Sequence, residues 1–170
     1  MKIAPIAIAF ATFLFAQSSR AQLPQSCGPK GSGFNIELDS TQHSVRQPAP
    51  GKAQVYFIQD VGPPNWLYAY VINVGLDGAW AGANKNNSYF SVSVEPGEHH
   101  VCENVKSRFS VYGRLVEATD FAAEAGKIYY FRARLTFGEA APSLELGPVD
   151  ADEAKYLIGS DPLSVSRPKK

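Results

Sequence analysis

Val94-Glu95-Pro96-Gly97-Glu98-His99-His100-Val101 reads as a strand, a tight turn and a return strand. Proline presets the φ that a turn needs, and glycine supplies the positive φ that follows. About thirty residues on, Ala125-Gly126 makes a second turn, and Lys127 to Phe137 alternates strictly. Tyr129, Phe131, Ala133, Leu135 and Phe137 share one face, while Tyr130, Arg132 and Arg134 share the other. A period of two marks a strand with one dry and one wet face.

Working outward, Phe34 to Leu38 alternates in the same way, and Lys52 to Gln59 sets Ala53, Val55 and Phe57 on one side. Gln47-Pro48-Ala49-Pro50-Gly51 links the two, since its prolines cannot donate ladder bonds. Leu67 to Leu76 is rich in β-formers and runs into Asp77-Gly78. That dipeptide is a hairpin signal, because a type I′ turn needs positive φ at both centres. Ala79 to Gly82 is a short return strand, Ala83 to Asn87 a polar loop, and Ser88 to Val94 a strand with Phe90, Val92 and Val94 aligned. Phe109 to Phe121 and Ser143 to Leu146 supply the last β segments. One helix is expected, with Asp150 as cap, Glu153 at the capping-box position, an Ala154/Leu157/Ile158 stripe and Gly159 at its end. Short strands with frequent turns and one late helix predict an all-β chain, an antiparallel β-sandwich of about eight strands with one short C-terminal helix.

Met1-Lys2, the apolar run Ile3 to Phe15 and the small residues Ser19 and Ala21 form a secretory signal peptide, with cleavage expected after Ala21. The run is too short to span a bilayer, which takes roughly 20 residues. The expected divisions are 1–21 signal peptide, 22–50 N-terminal extension with the first strand, 51–159 β-sandwich and 160–170 flexible tail. Cleavage leaves 14 basic against 16 acidic residues, so no basic field draws nucleic acid or an anionic membrane. No membrane insertion is expected after cleavage, and the destination is the periplasm or the medium.

Cys27 and Cys102 are the only cysteines. In an oxidising compartment two cysteines usually pair. The closed loop spans 75 residues of sequence, worth about 4 kcal/mol on chain-entropy grounds. The alternatives are two free thiols, or a reactive Cys102 with His100 two residues away on the same strand face.

The segments Gly51-Lys52-Ala53, Leu76-Asp77-Gly78, Ser88-Tyr89-Phe90, Glu95-Pro96-Gly97-Glu98-His99 and Ala125-Gly126-Lys127-Ile128-Tyr129-Tyr130 together resemble a bacterial family of secreted proteins and lipoproteins of unknown function, with a domain similar to PEGA domains. The resemblance covers roughly Gly51 to Ile158. It implies a compact β-sandwich in the cell envelope and no known catalytic residues. The chain departs from the lipoprotein members, because Cys27 lies well beyond the apolar run and follows Pro24-Gln25-Ser26.

Glu98-His99-His100 invites a metal site, but neighbouring strand residues point to opposite faces. The two imidazoles therefore cannot share one ion, and recruits such as His43, Asp39 or Asp77 would be needed. The expected arrangement is a half-buried His99 beside the turn and a solvated His100, with no metal and no cofactor. Gly82 to Ser88 lacks the Gly-Lys-Ser/Thr order of a phosphate loop, and Gly31-Ser32-Gly33 precedes the first strand rather than forming a nucleophile elbow. Trp66, Tyr68, Tyr70, Trp80 and Tyr89 cluster around one hairpin and form a candidate ligand platform, although aromatics also fill sandwich cores.

The function expected is that of a secreted, non-catalytic module that binds or supports an assembly in the envelope. Its partner is an unknown envelope protein or glycan, and its open edge strands could accept a partner strand. The second expectation is a small-ligand or glycan binder using Trp66 and Trp80. A metal- or thiol-dependent enzyme ranks last, since no paired acid and base stand out.

Overall fold

The computed structural model describes residues 24–62, 70–106, 115–138 and 141–169. Among the described residues, ten strands and one helix follow one another as β1 (Phe34–Asp39), β2 (Ala53–Val61), β3 (Val71–Leu76), β4 (Ala79–Lys85), β5 (Ser88–Val94), β6 (Gly97–Lys106), β7 (Val116–Ala123), β8 (Ile128–Phe137), β9 (Pro142–Pro148), α1 (Ala151–Ser160) and β10 (Leu163–Pro168). One sheet has the order β1-β10-β5-β2-β8-β9 and the other β4-β3-β6-β7. The turns at Asp77-Gly78, Glu95-Pro96 and Ala125-Gly126 lie between strands, with Asp77 at φ 51° and Gly78 at φ 86°, while β4 runs on through Lys85 into the stretch expected as the Ala83 to Asn87 loop. Both values are positive, as the two-residue hairpin requires.

The sheets face each other across a core with two apolar clusters. Val55, Phe57, Val74, Phe90, Val101 and Phe131 belong to the first. Val61, Ile72, Val105, Ala133 and Leu135 belong to the second. Each buried aliphatic or aromatic side chain contributes roughly 1.5–3 kcal/mol.

Three larger features depart from the sequence expectation. The six-stranded sheet is mixed, since β2 runs parallel to β8 and β10 parallel to β5. The chain leaves that sheet after β2 and β5 to build the other sheet, and its returns bring like-directed strands side by side. The second face of β8 is not uniformly wet. Tyr130 packs there with Tyr56, Ile58, Ala154 and Ile158, because α1 lies over β2 and β8. Arg132 remains on the same face and pairs with Glu153 of α1. Third, the segment expected as a flexible tail contains β10, which pairs along β1 from Leu163↔Asp39 to Pro168↔Phe34. Leu163-Ser164-Val165-Ser166 alternates, and β1 would otherwise stand as an isolated edge. The sheets thus draw strands from both sides of the expected 51–159 division.

The helix begins as predicted, with the Asp150 carboxylate accepting from the N–H groups of Asp152 and Glu153. It runs one residue beyond Gly159, and the Asp161 N–H closes its last turn on Leu157 O at 2.8 Å.

Candidate functional site

On β6, Val101 and Val105 point between the sheets, so Cys102 points out from the four-stranded sheet. There it is bonded to Cys27, with Cα atoms 5.1 Å apart, well inside the disulfide range. The segment around Cys27 lies flat on the sheet. A Cβ at Gly75 would come 2.7 Å from Ser26 O, so only glycine lets the two backbones approach. The Gly78 N–H donates to Ser26 O at 3.1 Å, and Asn73 Nδ2 donates to Ser32 O at 3.3 Å. The Trp80 indole N–H donates to Pro29 O at 2.8 Å.

Beside this segment opens a cleft of about 510 Å³, lined by Gln25, Ser26, Asp77, His100, Thr119 and Asp120 among others. Asp77 organises its floor, accepting from the His100 backbone N–H at 2.8 Å and facing the His99 ring at 2.7 Å. Burial pushes the Asp77 carboxyl up, but the His100 N–H and the His99 ring outweigh it and hold it below its ordinary range. Burial pulls His99 down, yet Glu95 O and Asp77 prevail and its pKa is raised. His99 is half-buried and His100 exposed, as the strand alternation requires. Among the described residues, no three His, Cys, Asp or Glu side chains are grouped to hold a metal ion.

Tyr70, Trp80 and Tyr89 do not share a surface. Trp66 and Tyr68 lie outside the described residues. Tyr70 is 4% exposed in the second core cluster, and Tyr89 is 2% exposed beneath α1 on the opposite side of its sheet. Trp80 is half-buried, with Gly28 against its ring and Lys106 Nζ 5.6 Å from the ring centre. The platform expectation is therefore corrected for Tyr70 and Tyr89, whose rings fill the interior where their apolar area is worth most.

Two buried polar groups were not singled out from the sequence. Glu103 is 1% exposed, and Gln59 is fully buried. Gln59 lies between Phe57 and Val61 on β2, and Glu103 between Val101 and Val105 on β6, so both point into the core from facing sheets where the two apolar clusters meet. Gln59 Nε2 donates to Tyr70 O at 3.2 Å. Among the described residues, Gln59 Oε1 and Glu103 Oε2 have no hydrogen-bond partner. Burial alone raises the Glu103 carboxyl to about 8. Parity in Val101-Cys102-Glu103-Asn104-Val105 was the available signal, since it sets Glu103 on the valine face.

The six-stranded sheet also splits. β10 meets β5 at one rung, Leu163 opposite Tyr89, where the Tyr89 N–H donates to Pro162 O at 3.2 Å. Beyond it β10 is tied to β4, with Ser164 Oγ donating to Ala83 O at 2.7 Å and the Ala83 N–H donating to Ser166 Oγ at 3.2 Å. A slot of about 290 Å³ remains between β5 and β10, with Gln42, Ser44 and Arg46 on its outer side. Nothing in the sequence marked this slot, because it depends on β10 being a strand.

No curated protein and no solved structure matches the chain. The span from the approach to β2 through the end of β9 does match a described family. The chain belongs to the DUF2846 family, proteins of unknown function, whose pattern covers residues 49–148.

Proposed function

We propose that the chain is exported and serves as a non-catalytic, PEGA-like module of the bacterial cell envelope that works by binding. The observation that carries this reading is the Cys27–Cys102 bond, which fastens the first residues after the expected cleavage site across a sheet of the sandwich. Such a staple persists in an oxidising compartment and is rare in a reducing one. The leader pattern of Met1 to Ala21 supports the same destination. Asp77 and His99 hold each other and the backbone, and Glu103 is sealed in the core, so these groups serve the scaffold. The open cleft and the slot leave polar surface for a partner.

The test is expression of the full chain in a bacterium, fractionation, and intact mass with and without thiol alkylation. Cleavage after Ala21 and a mass two hydrogens low, with no alkylation, supports export and the staple. An uncleaved chain with two alkylated thiols overturns it.

A further inference from the structure

We infer that the slot between β5 and β10 is a docking site for an extended peptide strand, which pairs with the free backbone edge of β5 at Ser91 and Ser93. The inference deepens the binding reading above and rests on it for its biological role.

The geometry follows from one hydrogen bond. The N–H and C=O of a strand residue point to the same side, and those of the next residue point to the other. The Tyr89 N–H donates to Pro162 O, so Tyr89, Ser91 and Ser93 direct their backbone groups away from β2. β10 meets only the first of these rungs. Past that rung Ser164 and Ser166 hold it against Ala83 of β4 instead. Among the described residues no strand pairs with Ser91 or Ser93 on that side. Ser91 is half-buried and Ser93 exposed. Free edges are usually blunted by Lys, Pro or a covering loop. Ser91-Val92-Ser93 carries neither Lys nor Pro, and the segment over its outer face is fastened to Tyr56 and Tyr89, through Arg46 N–H and Gln42 O, rather than to the Ser91 or Ser93 backbone.

The occupant is set by chemistry. Donor–acceptor pairs at every second residue complement a polypeptide backbone, and pockets on either side read alternate side chains. Phe90 and Val92 line the inner side and pack on the first core cluster. Gln42, Ser44 and Arg46 line the outer side with the hydroxyl-bearing rings of Tyr56 and Tyr89. The fitting peptide therefore alternates apolar and polar residues.

The test uses purified oxidised protein and a phage-displayed library of randomised nonapeptides. In the free protein the Ser91 and Ser93 amides should exchange with solvent at least about 100-fold faster than those of Phe90 and Val92. Selected peptides should alternate apolar and polar residues and slow exchange at Ser91 and Ser93. Ser91→Pro deletes only a slot-facing donor, so it should leave the β2 ladder intact and weaken binding about tenfold or more. Ser93→Pro removes the next slot-facing donor together with the Ser93 Oγ donation to Gln54 Oε1, so Ser93→Ala is its control, and N-methylation of alternate peptide residues probes the pairing without touching the protein. Failure to select a peptide, or binding that leaves both amides unchanged, overturns the inference. A retained leader or reduced cysteines would overturn export and leave this result standing.

Discussion

The Asp77 carboxylate and the His99 ring stand 2.7 Å apart, and the other ring nitrogen of His99 faces Glu95 O at 2.8 Å. Both partners are acceptors, so the two contacts are hydrogen bonds together only when the ring is the imidazolium. One protonated ring thus ties the Asp77-Gly78 hairpin to the Glu95–Gly97 turn.

His99 is raised above its ordinary 6.5. Its contribution is complete below that unfolded value and is lost as pH rises through the higher folded one. Asp77 is lowered from 3.8, so its contribution is present above that value and fades as pH falls through the lower folded one. His99→Gln should reduce the fall in stability above pH 6.5 in urea titrations, and Asp77→Ala should cost about 1–2 kcal/mol at neutral pH. A slope unchanged in His99→Gln would sink the assignment.

Glu103 bends the stability profile in the same direction for a different reason. Its folded pKa is near 8 against an ordinary 4.5, so the folded state holds a proton that the unfolded chain releases in between. Stability should fall across that window and level off above it. Glu103→Gln removes the charge and should raise stability at pH 8 by a few kcal/mol, on the order of 4 at most. Combining it with His99→Gln separates the two titrations, and an unchanged profile in Glu103→Gln would show that the carboxyl is not sealed.

Removing both sulfurs, as Cys27→Ser with Cys102→Ser, should cost about 4 kcal/mol by chain entropy. Hydrogen exchange should quicken at Gly78, whose amide is held by Ser26 O. Equal urea midpoints for the oxidised protein and the double variant would contradict a structural role.

Truncation after Ser160 should not be tolerated as loss of a loose tail would be. It removes the partner of β1 along six rungs and both hydroxyls that hold Ala83. The truncated chain should aggregate or lose several kcal/mol, since it bares two edges at once. Ser164→Ala alone leaves Ala83 O without its 2.7 Å donor and should cost about 1–2 kcal/mol. A truncated protein with unchanged thermal midpoint would place β10 outside the cooperative unit.

Most individual elements could be read locally. The alternation of Lys127 to Phe137 put Phe131 and Leu135 on the core face where they lie. Asp77-Gly78 set a hairpin through its own φ angles, and Asp150 capped its helix with its own carboxylate. The pairing of Cys27 with Cys102 was the reading favoured by there being only two cysteines, and the fold brings the two together. These are near-neighbour effects, or a count, and carry no information about which strands lie side by side.

Tertiary structure decided the rest. That β2 runs beside β8 in parallel depends on how the chain returns from the second sheet, which no local period records. Tyr56 and Tyr130 became core residues because α1 covers them, and Tyr70 and Tyr89 went to separate interiors rather than to one platform. Glu103 is perturbed because a facing sheet excludes water, and the β5 slot exists because two serines hold β10 on β4. Amino-acid order by itself marked most of the strands and their turns, because backbone sterics and side-chain period act over a few residues. Burial, titration and the docking edge arose only in the fold, because they depend on groups brought together from distant parts of the chain.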